Sequence, residues 1–188
     1  MSTLYTHAAV GLALGRVCFA RRMPVLFWAL AGLLPIVPDL DALSNAPYGS
    51  ALGHRGFTHS LCFALVLGFS AAAATFRYFK MNVWRLGCFF FLITATHGLL
   101  DALTNGGEGI PFFWPASEHR FGPWGPIHVA DIADQFPNPW RSRAIRTELL
   151  WVWLPMTLVV GTVALWRRTR NSGDASTQPL PGRSEPGA

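Results

Sequence analysis

The chain has 188 residues, enough for one domain; 51% of them are hydrophobic and only 13% are charged. Soluble domains carry about 25% charged residues, so this composition, with a mean hydropathy of +0.31, favours a lipid bilayer over water. The net charge of +5 is modest, and no basic stripe interleaved with aromatic residues indicates nucleic-acid binding. We therefore expect a membrane protein without a nucleic-acid partner.

Five apolar runs follow one another along the chain. They cover residues 6–20, 23–37, 57–76, 86–103 and 149–166. A helix needs about 20 residues, with a range of about 17–25, to cross the hydrocarbon core, and the last three runs meet this. The first two are short, and either span with the help of flanking residues or pack as a partly buried hairpin. The predicted fold is an all-α, polytopic membrane helical bundle of about five apolar helices, with residues 1–166 as one membrane-embedded domain.

Two segments lack the composition of a membrane helix. Residues 105–148 are rich in Gly, Pro and Trp, and their aromatic side chains suit the membrane interface. We expect them to form a long interfacial loop or lid. Residues 167–188 are predicted to form a disordered cytoplasmic tail, because Ser, Pro and Gly dominate after Arg170.

Lysine and arginine are unevenly divided between the two sides of this arrangement. One side carries ten of the fifteen: Arg16, Arg21, Arg22, Arg77, Lys80, Arg85, Arg167, Arg168, Arg170 and Arg183. The other side carries five: Arg55, Arg120, Arg141, Arg143 and Arg146. Cytoplasmic loops of membrane proteins are enriched in Lys and Arg. The first side is therefore predicted to face the cytoplasm, in a plasma (inner) membrane.

Residues with metal-ligand chemistry gather on the opposite, non-cytoplasmic side. All six histidines and eight of the ten carboxylates fall there, although Lys and Arg alone define the orientation. His97 and Asp101 are four residues apart and share one face of a predicted helix; such a pair inside a membrane is costly and functional by default. Imidazole and carboxylate ligands suit Zn, Mn or Fe. The pattern predicts a metal site at one end of the bundle, at the membrane surface.

The same residues also have structural interpretations. His7 fits either a helix-end residue or a ligand. Asp39 fits a cap for the next element, and Asp41 fits a solvated side chain. Arg55 fits either a surface anchor or a fork of donors for a substrate phosphate.

Four motifs carry a resemblance to a known family. They are THAAVG at residues 6–11, PDLD at 38–41, HRGFTHS at 54–60 and HGLLD at 97–101. With these motifs the chain resembles, over roughly residues 1–165, the YdjM-like inner-membrane proteins, which are described as metal-dependent hydrolases. That family is in turn distantly similar to zinc-dependent phospholipase C and P1 nuclease, all-helical enzymes whose His/Asp tri-zinc site cleaves phosphodiesters.

The resemblance implies a ligand set. The matching positions are His7, Asp39, His59, His97 and Asp101, with His54 and Asp41 as additional candidate ligands. The soluble enzymes continue after HxxxD with a further close His and another HxxxD/E pair, whereas here Asn105 and Gly106 follow. The next candidates are His119, His128 and Asp131, which also fit solvated loop positions. We therefore expect one or two divalent ions, zinc in the first place and Mn or Fe as alternatives.

The predicted function is a membrane-bound, metal-dependent hydrolase. It would act on phosphoester or other ester bonds at the lipid interface, with a phospholipid-like molecule as the candidate substrate. Asp41 is the candidate general base, Arg55 would stabilise developing negative charge, and the Trp-rich loop would dock substrate. The alternative is a non-catalytic metal-binding scaffold or a transporter. A transporter would hold its ionisable groups near the membrane midplane rather than at one end.

Overall fold

The computed structural model describes residues 2–19, 22–130 and 142–176. In this part of the chain the regular elements are all helical, which confirms the predicted class. Two isolated bridges stabilise the long loop: Thr104 with Ile127 joins it to the residue that follows the fourth apolar run, and Ile110 with Phe121 joins two parts of the loop itself.

The first two apolar runs form helices of different reach. Helix α1 covers Leu4–Cys18 and begins where the Thr3 side chain accepts from the Thr6 N–H. Its 15 residues stay below the length of a span. Helix α2, Val25–Leu33, continues as a 3-10 helix over Leu34–Leu43. Together they cover 19 largely apolar residues, so the helix of the second run is long enough to cross a membrane.

Because the second helix extends beyond its apolar run, its two aspartates lie within the helix rather than after it. The sequence pattern places Asp39 and Asp41 after this helix, whereas both lie inside its 3-10 segment and are buried. Pro35 and Pro38 interrupt the apolar pattern, and without N–H groups they cannot join a regular α-helical ladder. The tighter 3-10 form carries the helix past them.

The third and fourth runs form two long helices, as predicted, and these pack against each other as a hairpin. Helix α3, Leu61–Phe79, begins at a Ser60 cap, and helix α4, Val83–Ala102, begins at an Asn82 cap. The two helices approach closely at Gly68, where an added Cβ would lie 2.4 Å from the backbone nitrogen of Phe91.

The last run forms one continuous helical rod. It consists of helix α5, Arg143–Glu148, a π-helical segment, Leu149–Trp153, and helix α6, Leu154–Ser176. Helix α6 therefore continues through residues 167–176, which the sequence pattern assigns to the tail. Arg167 explains part of this extension, because it donates to the carbonyl oxygens of Arg16 and Val17 at the end of α1. Residues 131–141 and 177–188, including Asp131 and the rest of the tail, lie outside the described residues.

Four helical stretches of the described chain are long and apolar enough to cross a membrane. They are Val25–Leu43, Leu61–Phe79, Val83–Ala102 and Arg143–Arg170. An aromatic core lies at the Arg- and Lys-rich end of the bundle, built around Phe19, Phe27, Phe79, Phe89 and Phe90. The buried polar residues lie at the opposite ends of the same helices.

Candidate metal centre

Four metal-ligating side chains from three elements converge at the polar end of the bundle. Asp39 comes from the 3-10 segment, His59 from the short 3-10 helix Phe57–His59, and His97 and Asp101 from the last turns of α4. Each offers one donor atom, and these four atoms lie within 4.8 Å of one another. All four residues are buried. We refer to them as the four-donor group.

The distances within the group suit a single ion. The Nε2 atoms of His59 and His97 are 3.0 Å apart. Asp39 Oδ1 lies 3.8 Å and 3.5 Å from these two nitrogens, and Asp101 Oδ2 lies 3.7 Å and 4.0 Å from them. Ligand bonds of about 2.0–2.1 Å in a tetrahedron separate neighbouring donors by about 3.4 Å. Five of the six donor pairs thus lie within about 0.6 Å of the tetrahedral separation, so small side-chain shifts would bring these donors to one ion.

Hydrogen bonds on the far side of each imidazole determine which nitrogen faces the centre. His97 Nδ1 lies 2.7 Å from the Pro35 carbonyl oxygen, which can only accept, so Nδ1 carries the proton. His59 Nδ1 lies 3.2 Å from Asp41 Oδ2. Metal-bound histidines usually donate their other ring N–H to a carbonyl or carboxylate in this way. In the neutral rings, both Nε2 lone pairs then point at the centre, where only a cation or a proton can satisfy them.

The carboxylate oxygens at the centre lack partners. Within the described part of the chain, both oxygens of Asp39 and Oδ2 of Asp101 are buried without a hydrogen bond. An uncompensated buried charge is expensive. Two such carboxylates beside two imidazole nitrogens make a donor set that fits Zn, Mn or Fe.

In the metal-free centre, the neighbouring carboxylates change the pKa of His59. This residue lies outside the four candidate membrane spans. Burial alone would lower the pKa of this imidazole, but the nearby carboxylates of Asp101, Asp39 and Asp41 outweigh burial and raise its pKa to about 10. The metal-free centre thus holds a proton where the ion would bind.

His7 lies beside the four-donor group rather than within it. Its ring stacks on His97 with 4.0 Å between the ring centroids, and its Nε2 is 3.5 Å from Asp101 Oδ1. Ser2 occupies the same corner: its hydroxyl lies 2.9 Å from His7 Nε2, and its backbone N–H donates to Asp101 Oδ1 at 2.8 Å. The predicted role of His7 as a ligand stays a prediction.

Arg55 is fully buried next to the centre, so its interpretation as a surface anchor is wrong. It adopts a positive φ of 62°. Its guanidinium donates to the Gly106 carbonyl at 2.8 Å and to the Thr104 hydroxyl at 3.3 Å. Its Nε lies 3.7 Å from Asp101 Oδ2 and has no hydrogen bond among the described residues. Loop contacts therefore hold a positive charge against one wall of the centre.

Asp41 and His54 form a layer behind His59. Asp41 Oδ2 accepts from the Thr58 hydroxyl at 2.5 Å, and Asp41 Oδ1 lies 2.7 Å from His54 Nδ1. Asp41, His54 and His59 make a second group of possible metal donors. Because the Asp41 carboxylate is already shared by Thr58, His54 and His59, its geometry favours orienting His59 over abstracting a proton from water.

The loop histidines lie away from the centre. His119 is exposed and packs its ring on Phe121. His128 Nδ1 lies 2.7 Å from the Asn105 side-chain nitrogen. Neither residue belongs to a group of possible metal donors among the described residues, and Asp131 falls outside them.

Glu148 is a buried residue that the sequence pattern leaves unassigned. Its carboxylate accepts from the Thr3 N–H and hydroxyl, both at 2.5 Å, and from the Thr6 hydroxyl at 2.6 Å. These bonds hold the first residues of the chain, and hence Ser2 and His7, against the last rod. A glutamate directly before an apolar run is a visible signal, but its partners lie 142–145 residues earlier.

The fold and the centre define a class: a polytopic helical membrane protein with a buried His/Asp cluster at one end of its helices. The profile of the YdjM inner membrane protein family matches residues 1–169, and the chain belongs to this family. It is also similar to inner membrane protein YbcI of Escherichia coli (strain K12), with 39% identity over 173 residues that cover 89% of this chain and 99% of that protein. No solved structure matches the chain. Family and relative together identify an integral inner-membrane protein.

Proposed function

We propose that this protein is a membrane-bound, metal-dependent hydrolase that acts on phosphoester or other ester bonds at the lipid interface. The observation that carries the proposal is the four-donor group, in which buried carboxylate oxygens without partners and two oriented imidazole nitrogens surround one point. Such a group at one end of a lipid-embedded bundle would lie near the depth of the ester bonds of membrane lipids.

Asp39, His59, His97 and Asp101 would hold the ion, with zinc as the first candidate and Mn or Fe as alternatives. When bound, a divalent ion supplies Lewis-acid chemistry and makes water a nucleophile at neutral pH. Asp41 and the Pro35 carbonyl hold the two imidazoles in the ligating orientation.

Arg55 contributes positive charge from the protein itself. Its Nε–H lies at the wall of the centre, while its other nitrogens are held by Gly106 and Thr104. A fixed cation in a dry site stabilises negative charge that develops during ester cleavage. This supports a phosphoester in particular, because a phosphate brings negative charge to the site before any reaction.

The test uses the purified full chain in lipid nanodiscs. Metal content is measured by elemental analysis, and hydrolysis is followed with a chromogenic phosphodiester and with phospholipid. His97→Ala and Asp39→Ala are expected to lose both bound metal and activity, whereas His119→Ala, at an exposed histidine of the same side, retains both. Full metal content and full activity in both His97→Ala and Asp39→Ala would overturn the proposal.

A non-catalytic metal-binding scaffold is the competing function. It requires the same four-donor group but no turnover. Stoichiometric metal in the wild type, lost in His97→Ala, together with no cleavage of phosphodiester, phosphomonoester or carboxylester substrates, would favour the scaffold.

A further inference from the structure

A cavity of about 320 Å³ lies beside the start of α1, separate from the metal centre. Its apolar walls are the side chains of Tyr5, Ile145, Leu149 and Trp153. Ligand cavities in proteins start at about 300 Å³, so this space is large enough for part of a small molecule and far too small for a helix.

The polar groups that line the cavity are occupied by one another. The remaining lining residues are Thr3, Thr6 and Glu148. The Glu148 carboxylate accepts from both threonines, and the Thr6 hydroxyl also accepts from Trp153 Nε1 at 2.8 Å. The N–H and O–H donors among these atoms are thus all engaged, and none is left to bind a polar head group. Its occupant should be apolar where it enters.

The cavity is continuous with the lipid-facing surface of the last rod. Leu149 and Trp153 belong to the candidate span Arg143–Arg170, and Leu149 remains 39% exposed. The next residues, Leu150 and Trp151, are exposed by 64% and 60%. In an inner-membrane protein these side chains meet the hydrocarbon of the bilayer.

We infer that the cavity binds one acyl chain of a membrane lipid. The apolar walls, the engaged donors and the opening onto the bilayer-facing surface all fit a single hydrocarbon chain. The wall residue Thr3 adjoins Ser2, whose N–H donates to Asp101 of the four-donor group. The cavity is therefore connected to the metal centre through two consecutive residues, Ser2 and Thr3. The inference rests on the membrane location of the protein and does not depend on the proposed hydrolysis.

The test places the wild-type full chain in nanodiscs that contain phosphatidylglycerol with a photoreactive diazirine on one acyl chain. After irradiation, labelled peptides are located by mass spectrometry. Labelling of Tyr5 and residues 145–153 should saturate at a low mole fraction of the probe. Ile145→Trp and Leu149→Trp are designed to fill the cavity. If each excludes about two methylene groups of the acyl chain, at about 0.8 kcal/mol per group, the affinity and hence the labelling at Tyr5 should fall about tenfold.

Leu158→Trp is the matched control, because it adds the same side chain to an exposed position of the same rod outside the cavity. It should leave labelling at Tyr5 unchanged. Bound metal and the thermal unfolding midpoint are measured for each variant to identify those that remain folded. The inference is overturned if labelling at Tyr5 rises in proportion to the probe, as is expected at the exposed Leu158, or if a folded cavity-filling variant labels like the wild type.

Discussion

His59 and His97 each present one ring nitrogen to the same point because the other ring nitrogen is already engaged. The Pro35 carbonyl engages His97 Nδ1, and the Asp41 carboxylate engages His59 Nδ1. The sequence motifs PDLD and HRGFTHS identify Asp41 and His59 but not their pairing, because that pairing depends on where the 3-10 segment ends. The backbone carbonyl of Pro35 carries no sequence signal at all.

Asp41→Asn tests this division of roles. The amide oxygen can still accept from His59, but it lacks the negative charge that makes the imidazole a stronger ligand. Loss of such a supporting carboxylate lowers metal affinity about 10–100-fold. Affinity is measured by competition with a chelator of known strength. Glu118→Gln, the same change of charge at an exposed carboxylate, should have no effect. Equal affinity in the two variants would exclude the orienting role of Asp41.

Metal binding should release a proton from His59. Its pKa is raised from 6.5 to about 10 by the surrounding carboxylates, so the imidazole is protonated at pH 7 in the metal-free chain. A ligand must be neutral, and the ion displaces this proton. Apparent affinity should therefore rise about tenfold per pH unit between pH 7 and 9. Calorimetry in buffers of different ionisation enthalpy measures the proton release; its absence at pH 7 would contradict the prediction.

At the scale of elements, the close contact of α1 with the second helix positions the start of the chain. Gly11 lies where an added Cβ would come 2.0 Å from the Ala31 carbonyl oxygen and 2.8 Å from Pro35 Cγ. The contact includes backbone, which cannot turn aside as a flexible side chain can. Since Pro35 also orients His97, a shift of α1 would disturb the centre as well as the packing.

Gly11→Ala should therefore lower the free energy of unfolding by about 1–3 kcal/mol, the usual cost of overpacking. Gly161→Ala is the matched control, because nothing lies within 4 Å of its added Cβ. In the interior of a helix that change should instead stabilise by about 0.5–1 kcal/mol. Thermal unfolding in detergent, with metal content recorded in parallel, distinguishes the two. Similar midpoints for both variants would show that α1 and the second helix can separate without cost.

The helices were predictable to different degrees for physical reasons. Long apolar runs define α3 and α4, and each helix begins directly after a capping residue, Ser60 or Asn82. The second helix is longer than its apolar run because a 3-10 segment accommodates two prolines and two aspartates. The last rod begins before its apolar run, at Arg143, because the Ser142 cap and the buried Glu148 precede the hydrocarbon-facing residues.

For the whole molecule, the basic residues and the four-donor group lie at opposite ends of the helices. The aromatic core occupies the Arg- and Lys-rich end, and the four-donor group occupies the other. The sequence predicts this division because successive helices run in opposite directions across the membrane, so that alternate connections lie on the same side. It does not predict the bond of Ser2 to Asp101 or those of Glu148 to Thr3 and Thr6, since these contacts join residues 99 to 145 positions apart in the chain. The packing of α1 against both α4 and the last rod brings them together.

The same division predicts that the metal centre faces the non-cytoplasmic side. Ten of the fifteen basic residues lie at the other end, and such residues resist transfer across the membrane. The test uses a background without Cys18, Cys62 and Cys88, into which one cysteine is introduced at either Glu118 or Lys80, both exposed. In spheroplasts, a membrane-impermeant maleimide should label Glu118→Cys and not Lys80→Cys, whereas permeabilised membranes should label both. The reverse pattern would place the centre on the cytoplasmic side, where any metal would come from the cytoplasm and any lipid substrate from the inner leaflet.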